Sequence, residues 1–195
     1  MTNPLAEQKK SLRAELLRRR RALSPEDVEK RSQTLVQRLI DAFVAPQQIV
    51  GRKLALYWPI HNEPDLRPLA AHWRAHGGQT LLPVALAAAT PLVFRLWEAQ
   101  TPLRPDACGI PAPAPDAETL LPDIVLAPLC GVNAEGFRLG YGGGFYDRTL
   151  AALHPRPLTI GAAFELSRAE FSPAAHDVPL DALATEAGFW RFASC

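Results

Sequence analysis

The sequence predicts an α/β fold with a largely parallel sheet. Three observations carry that expectation. Amphipathic helical patterns open the chain, short apolar runs then alternate with further helical patterns, and a glycine-rich run follows one of the apolar runs. In such folds ligands gather at the carboxyl ends of the strands, where this glycine run falls.

The elements follow in order. At about 100° per residue, Leu5, Leu12, Leu16 and Leu23 share a narrow stripe, so a helix is expected over 5–22, with Lys9, Arg13 and Arg20 bordering the stripe on one side. Ser24 before Pro25 and Glu26 reads as an N-cap with proline at the first helical position. Val28, Leu35, Val36, Leu39, Ile40 and Phe43 form the apolar face behind it, so the two opening helices fill 5–43. Lys53 to Trp58 reads as a buried strand ended by Pro59, and Asp65 to His76 as a helix stopped by Gly77 and Gly78. Thr80 to Val84 and Leu92 to Trp97 read as strands. The proline cluster from Pro102 to Pro115 lacks backbone donors and is expected to be an ordered surface loop. Ile124 to Ala127 is a short apolar strand leading through Pro128 into a loop over 138–147, after which 148–153 can be helical and Thr159 to Phe164 forms another strand.

The chain has 195 residues, 48% of them hydrophobic, enough for one domain over 1–195 with a sizeable core. A net charge of +1 argues against a bulk nucleic-acid binder, so electrostatic function must be local. Cys108, Cys130 and Cys195 match neither a disulfide framework nor a zinc pattern and read as inert free thiols in a reducing compartment, which favours the cytoplasm. No apolar run approaches the roughly 20 residues of a membrane span. His61, His72, His76 and His154 show no ligand spacing and read as surface residues.

Gly140, Gly142, Gly143 and Gly144 permit positive φ and close backbone approach, so successive amides can cradle an anion. A structural tight turn is the competing reading of a bare glycine run. The spacing is neither a Walker sequence nor the dinucleotide fingerprint. The flanks strengthen the phosphate reading: Arg138 can pair with phosphate and Asp147 can hold a hard cation.

The run Arg138-Leu-Gly-Tyr-Gly-Gly-Gly-Phe-Tyr-Asp-Arg148 resembles the signature of 5-formyltetrahydrofolate cyclo-ligases, also called methenyltetrahydrofolate synthetases. Companions occur in order along nearly the whole chain: Lys9-Lys-Ser-Leu-Arg13, Tyr57-Trp-Pro with Glu63, Gly109-Ile-Pro111, and His176-Asp177. The resemblance implies a three-layer α/β/α sandwich related to ribose-phosphate isomerases and CoA transferases. It implies ATP-dependent cyclisation of 5-formyltetrahydrofolate to 5,10-methenyltetrahydrofolate, with magnesium, in a cytoplasmic monomer that binds neither nucleic acid nor membrane.

Position by position, the resemblance places ATP on Lys9, Lys10, Ser11, Leu12 and Arg13 and on Arg138, Leu139, Gly140, Tyr141, Gly142, Gly143, Gly144, Phe145 and Tyr146. Folate falls to Trp58, Glu63 and the stretch Tyr141, Gly142, Gly143, Gly144 and Phe145. Magnesium falls to Asp147 and Asp177, and the cations acting in catalysis to Arg138 and Arg148. Two positions depart from the pattern: many relatives carry Lys in place of Gly143 and Tyr in place of Phe145. The missing lysine leaves Lys9, Arg13 or Arg148 to meet the transferred phosphate.

Each residue also has a plainer reading. Lys9 to Arg21 can be a solvated helix face, Trp58 can be core, Glu63 can cap the helix that follows, and His176 can be a solvated neighbour of Asp177. Two other functions are compatible with parts of the sequence: a sugar-phosphate isomerase or CoA transferase on the same fold, and a nucleic-acid module built on Arg18 to Arg21.

Overall fold

The computed structural model describes residues 4–43 and 48–192. Helices α1 (Pro4–Arg21) and α2 (Pro25–Ala42) open the chain. Ser24 separates them: in extended conformation it accepts the Asp27 amide at 3.1 Å, and Pro25 starts α2 where no amide donor is needed. Strand β1 (Lys53–Ala55), helix α3 (Arg67–Ala75), strand β2 (Gln79–Val84) and strand β3 (Val93–Leu96) come next. Beyond them lie β4 (Leu103–Pro105), β5 (Pro111–Pro113), β6 (Ile124–Ala127), β7 (Gly131–Val132), β8 (Arg138–Leu139), helix α4 (Phe145–Ala152) and β9 (Leu158–Ala162). The chain closes with β10 (Ala182–Thr185) and β11 (Gly188–Arg191).

The central sheet has seven strands in the order β11-β10-β9-β6-β1-β2-β3. The five from β10 to β2 run parallel, and β3 and β11 flank them antiparallel. Alternation along the strands builds two buried faces, as a covered parallel sheet requires. Leu54, Leu56, Ile124 and Leu126 point to one face, where α2 and α3 cover them with Leu35, Leu39 and Trp73. Ala55 and Val125 point to the other, toward Tyr146 of α4 and Leu153 just after it. The α/β/α layering follows. Helix α1 stands apart: its buried residues are Leu16 and Arg20, and Leu16 packs on Leu139 of the β7-β8 hairpin and on Phe171.

Several expectations are corrected. The proline-rich segment forms a two-stranded antiparallel ribbon, with Leu103, Arg104 and Pro105 facing Pro113, Ala112 and Pro111. Proline is barred from central ladders but tolerated at strand ends and edges, and its carbonyl still accepts. The glycine loop is shorter than 138–147: Arg138 and Leu139 belong to β8, while Phe145, Tyr146 and Asp147 form the first turn of α4. Strand β1 ends at Ala55, although Leu56 still donates to the Leu81 carbonyl at 3.0 Å. Helix α3 starts at Arg67, because the Asp65 carboxylate receives the Arg67 amide from outside the helix. The two strands after Asp177 carry no expectation from the sequence at all. Cys195 lies outside the described residues, and no described helix is long and apolar enough to cross a membrane.

Candidate active site

Chain order dictates where a crevice must open. From β1 the sheet grows one way to β2, whereas β6, β9 and β10 are added on the opposite side. Connections therefore leave the carboxyl ends of β1 and β6 in opposite directions, and a crevice results between them. A cleft of about 830 Å³ lies there, bordered by Tyr57, Trp58 and Pro128 at the strand ends, by the first half of α1 and by the glycine loop.

The loop's backbone needs its glycines. Gly142 has φ +96° and Gly144, the N-cap of α4, has φ +64°. Gly144 lets the chain enter α4 with that helix's unpaired amides at the loop, where an anion is favoured. Arg13 holds the near side by donating Nε to the Gly140 carbonyl at 2.7 Å, and its guanidinium carbon is 3.6 Å from where a Cβ of Gly142 would stand. Arg148 holds the far side, donating to the Gly143 carbonyl while its guanidinium rests 5.6 Å from the Phe145 ring centre. A Cβ on Gly143 would approach that ring to 2.9 Å. The two departures from the family pattern are thus one packing unit, in which Phe145 lies across the bare Gly143 and steadies Arg148.

Two cation–carboxylate pairs close the polar end. Lys9 Nζ is 2.7 Å from Asp177 Oδ2, which also accepts the Ala174 amide at 2.8 Å. Burial pushes the Asp177 carboxyl up, but the Lys9 ammonium and the amide outweigh it and hold it below the usual aspartate range. Arg138, on β8, donates to Asp147 Oδ1 at 3.0 Å, and the same oxygen accepts the Val178 amide at 3.3 Å. Residues 177 and 178 thereby bring the two carboxylates into one neighbourhood. Among the described residues no group of three or more His, Cys, Asp or Glu could enclose a metal.

A buried polar cluster closes the other end. Arg20, 2% exposed, donates to the carbonyls of His61 and Leu129, each at 2.9 Å, and to the Tyr141 hydroxyl. Tyr141 in turn donates to Glu63 Oε1, which lies 3.8 Å from Arg20 Nη2. The other Glu63 oxygen accepts the Ile60 amide at 2.9 Å. Burial raises the Glu63 carboxyl, and Arg20, Tyr141 and that amide oppose the rise. Glu63 therefore does not cap α3, whose N-cap Leu66 has no side-chain bond. It closes the Ile60–Glu63 turn and borders the cleft from within.

Helix geometry sorts the basic arm. Lys9, Lys10 and Arg13 border the cleft together with Leu5 and Ala6. Ser11 faces solvent, and Leu12 packs beside Leu16 and Leu139. Those two do not line the cleft, because a contiguous run cannot keep one face of a helix. Lys10 is 74% exposed, near Glu7. Leu139 is buried against α1, and the Tyr146 ring packs into both apolar clusters on its side of the sheet, so both support the loop. Trp58 is half-buried at the cleft, edge-on to Trp97 and under the Arg67 guanidinium. His176 is 82% exposed, and burial pushes the Cys130 thiol up to about 11. Arg20 is the residue that sequence reasoning missed. The available signal was its place beside Lys9 and Arg13 on the same helix edge.

A model of the 5-formyltetrahydrofolate cyclo-ligase family matches residues 5–186. The 5-formyltetrahydrofolate cyclo-ligase of Escherichia coli is 32% identical over 182 residues, which cover 89% of this chain and 98% of that protein. The NMR structure of 5,10-methenyltetrahydrofolate synthetase from Aquifex aeolicus aligns with a TM-score of 0.81 at 28% identity, over 96% of this chain and 94% of that one. The structure of the 5,10-methenyltetrahydrofolate synthetase from Mycoplasma pneumoniae gives 0.74 at 27% identity, over 91% and 98%.

Proposed function

Because this chain belongs to the 5-formyltetrahydrofolate cyclo-ligase family, we propose that its cleft closes the ring of 5-formyltetrahydrofolate at the expense of ATP, releasing 5,10-methenyltetrahydrofolate, ADP and phosphate. One observation supports this most directly: a glycine loop at a helix N-terminus and two cation–carboxylate pairs converge in a single crevice at the strand switch point. A sugar-phosphate isomerase would use the glycine loop for a phosphate but need no ATP, and the comparisons favour the cyclo-ligase.

The chemical problem is a poor electrophile. The formyl group at nitrogen 5 is an amide, which resists attack by the weakly nucleophilic arylamine nitrogen at position 10. In the proposed route the formyl oxygen attacks the γ-phosphorus and the bond from phosphorus to the bridging oxygen breaks, releasing ADP. Nitrogen 10 then adds to the activated carbon and loses its proton, and the former formyl oxygen departs with inorganic phosphate. Such transfer is catalysed by positioning and charge stabilisation.

In this reading the loop amides from Gly140 to Gly144 cradle phosphate oxygens. Lys9, Arg13, Arg138 and Arg148 supply positive charge around them. Lys9 and Arg138 are oriented by their carboxylates, so bound phosphates take over side chains that the free protein keeps paired. The two carboxylates fit a magnesium ion that arrives with the nucleotide, because this ion typically takes one or two carboxylates plus phosphate oxygens and needs no all-protein cage. Asp147 and Asp177 would hold it, and its chemistry there is to neutralise charge on the triphosphate. Trp58 offers a flat ring to the pterin, and Glu63 with Tyr141 forms the polar wall of the folate side. The reading draws on no residue of a second subunit, and in it the enzyme acts as a monomer in the cytoplasm.

Labelling decides the route. Substrate carrying heavy oxygen in the formyl group is expected to deliver the label to inorganic phosphate in a single turnover, and only with ATP and magnesium present. Unlabelled phosphate formed alongside methenyl product would exclude the phosphorylated intermediate.

A further inference from the structure

The cluster that closes the folate side ties together segments that lie far apart along the chain. Arg20 sits at the last turn of α1, on the same edge as Lys9 and Arg13. Each of its guanidinium nitrogens donates to a different segment: the turn after β1 through the His61 carbonyl, the segment after β6 through the Leu129 carbonyl, and the glycine loop through the Tyr141 hydroxyl. Those are the two strand ends that define the crevice, plus its phosphate loop.

The turn at 60–63 is also attached to the end of α1 without the Arg20 side chain. His61 (φ 51°) and Asn62 (φ 58°) are consecutive left-handed residues without being glycine, a conformation that persists only where surrounding contacts enforce it. The Asn62 side-chain amide reaches the carbonyls of Arg20, Arg21 and Leu23 at 3.3–3.4 Å, which places it against the carboxyl end of α1. Glu63 closes the same turn through the Ile60 amide. Buried charges are costly unless paired and hydrogen-bonded, so a guanidinium and a carboxylate each with 2% side-chain exposure constrain the geometry around them strongly.

We propose that Arg20 is a positioning residue of the ring-closing reaction: it fixes the Tyr141 phenol against Glu63, so that docking of α1 sets the glycine loop and the folate-side turn in one arrangement. This rests on the cyclo-ligase reading and extends it. Lys9 and Arg13 act on the nucleotide from the first half of α1, and Arg20 acts on the folate wall from its last turn. A single helix therefore registers the two substrates against each other. Arg20 touches neither substrate and works through Tyr141.

The test uses the full chain, with methenyltetrahydrofolate formation as readout and KM measured for each substrate. Arg20→Met is expected to raise the KM for 5-formyltetrahydrofolate about tenfold or more, the effect of losing a hydrogen bond to a charged group, while the KM for ATP changes by less than about threefold. Tyr141→Phe is expected to do the same. In the double variant the second change should add little, because both remove one linkage. Arg20→Lys, which keeps charge without the forked geometry, should recover only part of the loss. Should Arg20→Met fail to fold, Tyr141→Phe, Arg20→Lys and their combination carry the same comparison. Losses that multiply, or a lowered melting temperature with both KM values unchanged, would overturn the assignment and leave Arg20 a structural residue. Absence of methenyl product from the wild-type protein with ATP and magnesium would overturn the cyclo-ligase reading instead.

Discussion

Lys9 and Arg18 carry the same charge on the same helix, and their surroundings separate them. Lys9 is 13% exposed and pairs with Asp177 in the cleft, whereas Arg18 is 70% exposed and pairs with Glu15 one turn back. Lys9→Ala and Arg13→Ala are each expected to raise the KM for ATP about tenfold or more, and Arg18→Ala to leave it unchanged. Equal losses at all three positions would mean the helix acts through bulk charge. The Lys9–Asp177 pair also predicts a pH dependence. Asp177 is held below its ordinary value of 3.8, so its contribution to stability is fully present above that value and fades as pH falls through the depressed one. The melting deficit of Lys9→Ala should therefore be constant near neutrality and shrink below about pH 3.8; a deficit independent of pH would separate Lys9 from Asp177. Trp58 combines two roles, since one edge meets Trp97 in the core and the rest borders the cleft. Trp58→Ala should lower the melting temperature modestly and raise the KM for folate with little effect on ATP. A melting change alone would make it core only.

At the scale of elements, the glycine loop and α1 work against each other's faces. Gly142 is the informative position, because a Cβ there meets only the Arg13 guanidinium at 3.6 Å and the remaining penalty is its φ of +96°. Gly142→Ala is expected to cost about 1–2 kcal/mol of loop strain, read as weaker ATP binding and a melting temperature lowered by about 2–4 °C per kcal/mol. A normal KM for ATP would show that the loop tolerates another backbone shape. Helix α1 is held unevenly. Its last turns are anchored by Leu16 and Arg20, while beyond them its cleft-facing Lys9 and Arg13 hold on through polar contacts. The element that carries the basic arm is thus the one most readily stiffened by a bound anion.

For the whole molecule, ligands that bind the native cleft must stabilise the fold. A non-hydrolysable ATP analogue with magnesium at about 100-fold over its dissociation constant should add roughly 2.7 kcal/mol, or about 2–4 °C per kcal/mol for a chain of this size. Hydrogen exchange should slow most in residues 5–13 and 140–147, on the two walls of the nucleotide side. Stabilisation without protection of α1 would place the nucleotide elsewhere. Sheet amides, whose two buried faces are complete without ligand, exchange through global unfolding and should slow only by that shared stabilisation.

What the sequence by itself determined is what depends on neighbours along the chain. The Ser24 cap, the apolar strands β1 and β6, and the shared edge of Lys9 and Arg13 follow from hydrogen bonds and periodicities spanning a few residues. The glycine run announced a loop with positive φ because positive φ and bare backbone are properties of the residues themselves. Tertiary structure decided what depends on distant partners. Lys9 finds Asp177 across 168 positions, Arg20 finds Tyr141 across 121, and Ser11 and Leu12 turn away from the cleft although they lie inside the motif. Locally, Arg20 differs from Arg18, Arg19 and Arg21 only in sharing the helix edge of Lys9 and Arg13, which does not say what it meets. Only the reversal of strand order between β1 and β6 creates the buried acceptors that make one arginine of four a structural and functional pivot.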